Sequence, residues 1–176
     1  MADVSVRPAL LDDAPIIGAI HAANFSYLIR IGSGETIHLD PSSFEDQWAE
    51  AIEEPPSAKH RTIVALDNSR VVGFAAIAPT EELIPDADGD DGPPAEIVAL
   101  EVEIGDRRKG HASRLLAACA DILRQTGANS VQFWCVDGDT SREQFLTTAG
   151  FQPRGVRRTY DLGGGMLTEN AWHAAL

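Results

Sequence analysis

A short basic stretch, Gly105 to Ala112, lies where an alternating apolar segment gives way to a helix-like one. It reads GDRRKGHA and contains three consecutive cations followed by a glycine. Cations are unfavourable at the start of a helix, where the dipole is positive and the first N–H groups lack partners, unless an anion lies beside them. The stretch therefore predicts an anion-binding turn, with a glycine that lets a phosphate approach the backbone. The plainer alternative is a solvated basic helix start.

Three glutamates on or beside the preceding segment are candidates for proton transfer: Glu96, Glu101 and Glu103. A carboxylate placed beside a bound substrate can act as a general base. In a regular strand, side chains alternate between faces, which would put Glu101 and Glu103 on one face and Glu96 on the other. The alternative for each glutamate is a solvated or salt-bridged strand residue.

Two common phosphate-binding patterns do not fit the basic turn. Gly105 and Gly110 match the glycines of a Walker loop, but His111 and Ala112 stand where its lysine and its magnesium-binding hydroxyl should be. The dinucleotide pattern G-x-G-x-x-G is absent as well. These mismatches argue against nucleotide hydrolysis and against a dinucleotide fold.

An acidic segment that precedes these residues in the chain invites comparison with a calcium loop, because Asp86, Asp88 and Asp90 alternate. Asp91 stands where that loop needs its turn glycine, and Ile97 stands where it needs a bidentate glutamate. The histidines show no ligand spacing. No metal site is predicted.

The composition narrows the class of protein. The chain has 176 residues, 44% of them hydrophobic, which is enough for one core, so a single domain spanning residues 1–176 is expected. A net charge of −13 argues against nucleic-acid binding and favours cationic partners. Cys119 and Cys135 lack metal spacing, and the sequence shows neither a signal peptide nor a membrane-spanning run. A cytoplasmic protein that does not bind membranes is expected. The sequence leaves open whether it forms a homodimer.

Strands and helices alternate in the second half of the chain, which indicates a mixed α/β fold with parallel strands at its centre. A hairpin through Asn68-Ser69 indicates antiparallel strands beside them. The predicted elements are a strand at Val4–Arg7, a helix begun by Asp12 or Asp13, a serine-capped helix before Pro55-Pro56, strands RTIVALD and RVVGFAAIAPT, an acidic loop over 80–94, a strand at Glu96–Ile104, a helix at about Lys109–Gly127, a strand at Ser130–Val136, a helix at Ser141–Ala149 and a strand pair over Phe151–Leu176.

The segment Arg107–Ala112 resembles the pyrophosphate loop [Q/R]-x-x-G-x-[G/A] of the GNAT superfamily of acetyl-CoA-dependent N-acetyltransferases. The opening VRPALLDDAPII resembles that family's first strand and helix, and REQFLTTAGFQP resembles its late helix, which ends in the Gly150-Phe151 pair. The resemblance covers nearly the whole chain and is weakest over Ile31–Lys59, the region that shapes the acceptor site in the family.

The resemblance implies a mostly antiparallel central sheet with flanking helices, in which strands four and five are parallel and splay apart. It also implies that acetyl-CoA is a co-substrate whose pantetheine lies along the edge of strand four. The residues that it assigns to cofactor binding are Leu100, Val102, Arg107, Arg108, Lys109, Gly110, His111, Ala112 and Ser113.

The same resemblance implies direct attack of an amine on the thioester within a ternary complex. Glu96 and Glu101 are the candidate bases: Glu96 has the spacing from Arg107 used by the histone-acetylating branch, and Glu101 lies where the acetyl group would be. The family tyrosine that protonates the thiolate is replaced by Leu146, so unaided thiolate departure is expected, with Tyr160 as the alternative acid.

The expected function is acetylation of a primary amine of a small molecule or peptide. Two other classes stay open: a non-catalytic acyl-CoA sensor on the same fold, and a phosphate-binding enzyme of unrelated chemistry.

Overall fold

A computed structural model describes residues 3–81 and 94–176. The strands are β1 (Val4–Pro8), β2 (Arg61–Asp67), β3 (Arg70–Pro79), β4 (Ala95–Val102), β5 (Ser130–Val136), β6 (Gln152–Asp161) and β7 (Met166–Ala175). The helices are α1 (Ala14–Ser33), α2 (Pro41–Glu53), α3 (His111–Gln125) and α4 (Thr140–Thr148), with short 3-10 turns at Leu11–Asp13 and Ile104–Asp106. The predicted acidic loop over 80–94, with Asp86, Asp88 and Asp90, lies outside the described residues except at its ends.

The strands form one sheet in the order β1-β2-β3-β4-β5-β7-β6, and every neighbouring pair is antiparallel except β4 with β5. One face packs against α3 and α4 through a core that includes Leu115 and Leu146. The other face packs against α1 and α2 through a core that includes Ile17 and Phe74. The predicted fold class, a mostly antiparallel mixed sheet with one parallel central pair, is confirmed.

Several predicted boundaries are wrong by a few residues for local reasons. β4 ends at Val102, because the chain turns into the 3-10 segment before Arg107. α3 begins at His111 and not at Lys109, since Gly110 is its N-cap with φ +83°. A serine does not cap α2: Asp40 does, its carboxylate accepting the Ser42 N–H at 3.0 Å. The strand predicted at the end of the chain is confirmed as β7.

A β-bulge interrupts the alternation of side chains along β4. Ala76 pairs with Ala99, whereas the next residue of β3, Ile77, pairs with Ile97, so Val98 is an extra residue in β4. The bulge changes which face every residue beyond it occupies. Glu96 and Glu101 therefore share the face covered by α1, and the prediction that they lie on opposite faces is wrong.

Candidate active site

The parallel strands β4 and β5 pair only near their beginnings. Ala95 to Ile97 lie opposite Val131 to Phe133. Beyond these residues, among the described strands, nothing pairs with Leu100 to Val102 on the β5 side. A cavity of about 360 Å³ lies at this gap, lined by α1, β4 and the beginnings of α3 and α4. Unpaired strand backbone facing a cavity offers hydrogen bonds to an extended ligand.

A second cavity, of about 440 Å³, adjoins the first and shares Ser113 and Phe145 with it. Its walls are mainly apolar residues of α3 and α4 together with the chain end at Leu176. The charged residues of the second cavity are Asp121 and Arg124, which pair with each other at 3.3 Å. The first cavity is lined by several carboxylates and guanidinium groups, among them the buried Glu101, and is therefore the one suited to chemistry.

The predicted anion-binding turn lies at one end of the first cavity. Arg108 and Gly110 both have left-handed backbone conformations, with φ of 66° and 83°. Within the described residues, the first paired N–H of α3 is that of Arg114, which donates to the Gly110 carbonyl at 3.2 Å. The preceding N–H groups at the helix start are therefore available to an anion.

Eight of the nine predicted cofactor-binding residues line this cavity: Leu100, Val102, Arg107, Arg108, Gly110, His111, Ala112 and Ser113. The exception is Lys109, whose ammonium donates to Asp106 Oδ1 at 2.7 Å. Lys109 thus stabilises the turn through Asp106 and does not line the cavity. The binding roles of the eight residues stay predictions.

A buried carboxylate, Asp106, holds the turn in place. Its Oδ2 pairs with Arg70 Nη1 at 2.8 Å, its Oδ1 pairs with Lys109, and its N–H donates to the Glu103 carbonyl at 2.9 Å. Hydrogen bonds from Arg70 and then from Lys109 hold the pKa of Asp106 well below its usual range. The carboxylate is therefore ionised at neutral pH and ties the turn to β3.

We expect Asp106→Asn to lower the free energy of unfolding at neutral pH by about 1–2 kcal/mol, because two charge-assisted hydrogen bonds are weakened. The pKa of Asp106 is lower in the folded than in the unfolded chain. Its contribution is therefore full above the unfolded pKa, about 4, and is lost as the pH falls toward the folded pKa. Urea unfolding of both proteins across this range checks the prediction, and a difference that does not change with pH would contradict it.

Glu101 lies at the other end of the cavity and is buried. Its Oε2 accepts hydrogen bonds from Asn24 Nδ2 at 2.9 Å and from Arg142 Nη2 at 3.2 Å. Asn24, buried on α1, also donates to the Val102 carbonyl at 3.0 Å and accepts from Arg107 Nη2 at 3.2 Å. A continuous chain of polar contacts thus joins the turn to the carboxylate.

The other candidate base, Glu96, lies on the same face but does not line the cavity. Its Oε2 accepts from Gln132 Nε2 at 2.8 Å and from Thr80 Oγ1 at 3.3 Å. The structure therefore brings Glu101 to the cavity that contains the turn and leaves Glu96 outside the cavity, hydrogen-bonded to Gln132.

Two further ionisable side chains near the site are poorly suited to acid–base or nucleophilic roles. His21 Nδ1 accepts the Trp48 Nε1–H at 3.0 Å, and burial lowers the pKa of His21 despite the opposing effect of Glu101. Its ring is therefore neutral, with the available lone pair already used. Burial raises the pKa of Cys135 to about 12, so its thiol is protonated at neutral pH and is a weak nucleophile.

The side chain that replaces the family tyrosine cannot reach the cavity. Leu146 is 1% exposed and packs in the core between α4 and the sheet. Tyr160 lies on β6, 44% exposed, and does not line the cavity. Tyr27 does line it, beneath the guanidinium of Arg107, 5.1 Å from the ring centre.

We expect Tyr160→Phe to keep nearly all of the wild-type kcat, because its hydroxyl lies away from the cavity. Leu146→Tyr should give no gain in activity and should lower the free energy of unfolding by about 1–3 kcal/mol, because it overfills a packed core. Thermal unfolding and steady-state kinetics check both variants. A loss of more than about a hundredfold in kcat for folded Tyr160→Phe would instead make Tyr160 a general acid.

Asn24, Tyr27, Asp139 and Arg142 line or contact the cavity and were not predicted. One signal was present for Arg142: it is a cation in the first turn of a predicted helix, which is as unfavourable there as it is in the basic turn. Asn24 carried a weaker signal, as a polar residue within the apolar stripe of α1. Neither signal says what the side chain contacts.

The model of the Acetyltransferase (GNAT) family matches residues 26–151. The chain belongs to this family. The GNAT chain is 29% identical over 140 residues to the uncharacterised N-acetyltransferase YuaI of Bacillus subtilis, covering 78% of this chain and 75% of that one.

Solved structures share its fold. A ribosomal-protein-alanine N-acetyltransferase from Brucella melitensis superposes with a TM-score of 0.72 at 19% identity, covering 98% of this chain and 99% of that one. The yncA protein of Salmonella typhimurium, solved with acetyl-CoA, superposes with a TM-score of 0.70 at 16% identity, covering 99% and 94%. In residues 3–81 and 94–176 of the GNAT chain, no helix is long and apolar enough to cross a membrane.

Proposed function

We propose that the chain, acting as one catalytic domain over residues 1–176, transfers the acetyl group of acetyl-CoA to a primary amine of a small molecule or peptide. The observation that carries this proposal is the cavity between β4 and β5, which has an anion-binding helix start at one end and the buried carboxylate of Glu101 at the other. Membership of an acetyltransferase family supports acetyl transfer as the chemistry.

The residues at the cavity fit acetyl-CoA. The helix start at Gly110 offers N–H groups to a pyrophosphate. The edge of β4 that has no strand partner offers backbone groups to the pantetheine amides, although the Leu100 and Val102 carbonyls already accept from Arg142 and Asn24. His111 is 2% exposed and, within the described residues, neither ring nitrogen has a hydrogen-bond partner. A buried polar group of this kind calls for a partner, which a ligand in the cavity can supply. The similarity to yncA, solved with acetyl-CoA, supports the same co-substrate.

The chemistry requires a neutral amine, and Glu101 is placed to remove the ammonium proton directly or through a water. Glu96 is the second candidate. Attack by the amine forms a carbon–nitrogen bond and breaks the carbon–sulfur bond, with the electron pair leaving on sulfur. The protonated thiol of Cys135 supports direct attack within a ternary complex in preference to an acyl-enzyme.

The charge of the chain supports a cationic acceptor over an anionic one, because a net charge of −13 attracts cations. We expect kcat/KM to be higher for amines and polyamines than for aspartate or glutamate, and to fall with added salt because screening weakens the attraction. Kinetics at several salt concentrations check this. A preference for the acidic amino acids, or a strong rise in kcat/KM with salt for the amines, would contradict it.

The function is tested by a thiol-release screen with acetyl-CoA across amino acids, polyamines, aminoglycosides and peptide N-termini, with CoA binding measured by calorimetry in parallel. Thiol release that depends on an amine, with acetylated product found by mass spectrometry, supports the proposal. CoA binding without thiol release would indicate an acyl-CoA sensor, and ATP binding tighter than CoA binding would indicate unrelated phosphate chemistry.

A further inference from the structure

The side chain of Arg142 passes through the gap in the sheet. α4 lies on the face shared with α3, whereas Glu101 faces α1 on the opposite side. Arg142 reaches from one to the other: its Nη1 donates to the Leu100 carbonyl at 2.7 Å and its Nη2 donates to Glu101 Oε2 at 3.2 Å. The guanidinium therefore lies between β4 and β5, at the end of the cavity away from the anion-binding turn.

The position of this guanidinium is closely fixed. Its side chain is only 15% exposed, and its central carbon lies 5.3 Å from the centre of the Phe133 ring. The backbone N–H of Arg142 donates to Asp139 Oδ1 at 3.1 Å, which caps α4 and anchors its first turn. A cation preorganised in this way stabilises developing negative charge without further reorganisation.

Arg142 also has donors to spare. A guanidinium carries five N–H groups, and the contacts with Leu100 and Glu101 use two of them. Among the cations that line the cavity, Arg107 and Arg108 belong to the turn at its opposite end, and Arg107 is held by Asn24. Arg142 is therefore the lining cation that contacts β4 at Leu100 and Glu101.

We propose, resting on the acetyl transfer proposed above, that Arg142 stabilises the negative charge on the sulfur of CoA as the thiolate leaves. As the carbon–nitrogen bond forms and the carbon–sulfur bond breaks, the electron pair on sulfur is paired with the guanidinium. Arginine keeps its proton throughout. The ammonium proton passes to Glu101 or to water, and the thiolate is protonated after the products separate. Arg142 thus stabilises the leaving thiolate in a chain where the family tyrosine, which would protonate it, is replaced by Leu146.

Stabilisation of a thiolate has a consequence that needs no turnover: the pKa of the CoA thiol should fall when CoA binds. The other charged and titratable groups that line the cavity are Tyr27 from α1, Glu101 from β4, Asp106, Arg107 and Arg108 from the turn, His111 from α3 and Asp139 from α4. The carboxylates oppose the effect. Arg107 reaches Glu101 only through Asn24, whereas Arg142 contacts Glu101 directly. Removing Arg142 should therefore reverse the shift.

The experiment is an ultraviolet titration of the thiolate of bound CoA in the wild type, Arg142→Gln and Arg142→Lys. We expect the bound thiol in the wild type to titrate about one pH unit below the thiol of free CoA measured in the same buffer, to return to the free value in Arg142→Gln, and to stay low in Arg142→Lys. Arg158→Gln is the matched control, since Arg158 also pairs with an acid, Glu169, and stacks on an aromatic ring, Trp134, outside the cavity. It should titrate like the wild type.

Kinetics provide a second readout. We expect Arg142→Gln to lower kcat about a hundredfold while KM for acetyl-CoA changes little, and Arg142→Lys to recover part of the loss. A wild-type complex whose thiol titrates like free CoA, or an Arg142→Gln complex that titrates like the wild type, overturns the role of Arg142 and leaves the proposed function standing. A wild type that binds no CoA overturns both.

Discussion

Gly110→Glu is expected to lower the affinity for CoA by about a hundredfold or more. A carboxylate at the helix start would lie against the N–H groups proposed to bind the pyrophosphate. Bringing this carboxylate and the pyrophosphate together, two negative charges, costs several kcal/mol. Each factor of ten in affinity corresponds to about 1.4 kcal/mol. A side chain there would also approach Arg114, whose Nη1 lies 3.0 Å from the position of a Cβ. Calorimetric titration of the folded variant with CoA measures the loss.

The chain provides a matched control in Gly127→Glu. Gly127 follows α3 and has the same φ of +83° as Gly110, with nothing within 4 Å of an added Cβ. Both variants therefore have the strain of a left-handed residue and the same added charge. Only Gly110→Glu places the strain and the charge at the cavity. Equal CoA affinity in the two variants would remove the pyrophosphate from this turn.

Glu101→Gln is expected to reduce kcat by about 10²–10⁴-fold, because a general base is removed while a side chain of nearly the same size is kept. CoA binding should change little, since the anion-binding turn is untouched. If Glu101 is the base, the dependence of kcat/KM on pH should also differ between the wild type and the variant. Steady-state kinetics across pH and calorimetry with CoA give both readouts.

Glu96→Gln and Glu103→Gln are the comparisons for this variant. Glu103 is half-exposed, pairs with Arg70 at 2.8 Å and does not line the cavity, so its replacement should leave kcat near the wild-type value. A large loss for Glu96→Gln with none for Glu101→Gln would transfer the role of base to Glu96. Near-normal rates in both would leave a water chain as the route for the proton.

Local sequence rules predicted the parts of the site that depend on nearby residues. The basic turn was found from charge and glycine placement, and the hairpin at Asn68 from residue types that tolerate a positive φ, which Asn68 adopts at 55°. The shared face of Glu96 and Glu101 was not predicted, because the bulge at Val98 depends on the register between β3 and β4.

The roles of Asn24 and Arg142 could not be predicted from the sequence, for a different reason. Each contacts Glu101, from separations of 77 and 41 residues along the chain, and through opposite faces of the sheet. Composition and periodicity describe one segment at a time. They can mark a polar side chain as unexpected, but they do not say which distant group it meets.

The parting of β4 and β5 also affects the solubility of the protein. Unpaired strand edges normally lie at the rim of a sheet, where they can pair with another chain and lead to aggregation. Here two such edges lie inside the sheet, with α1 on one face and α3 and α4 on the other. A second protein strand would need space for side chains on both faces, which these helices occupy. The fold can thus keep buried strand backbone without a strand partner at its centre, while its neighbouring helices protect it from self-association.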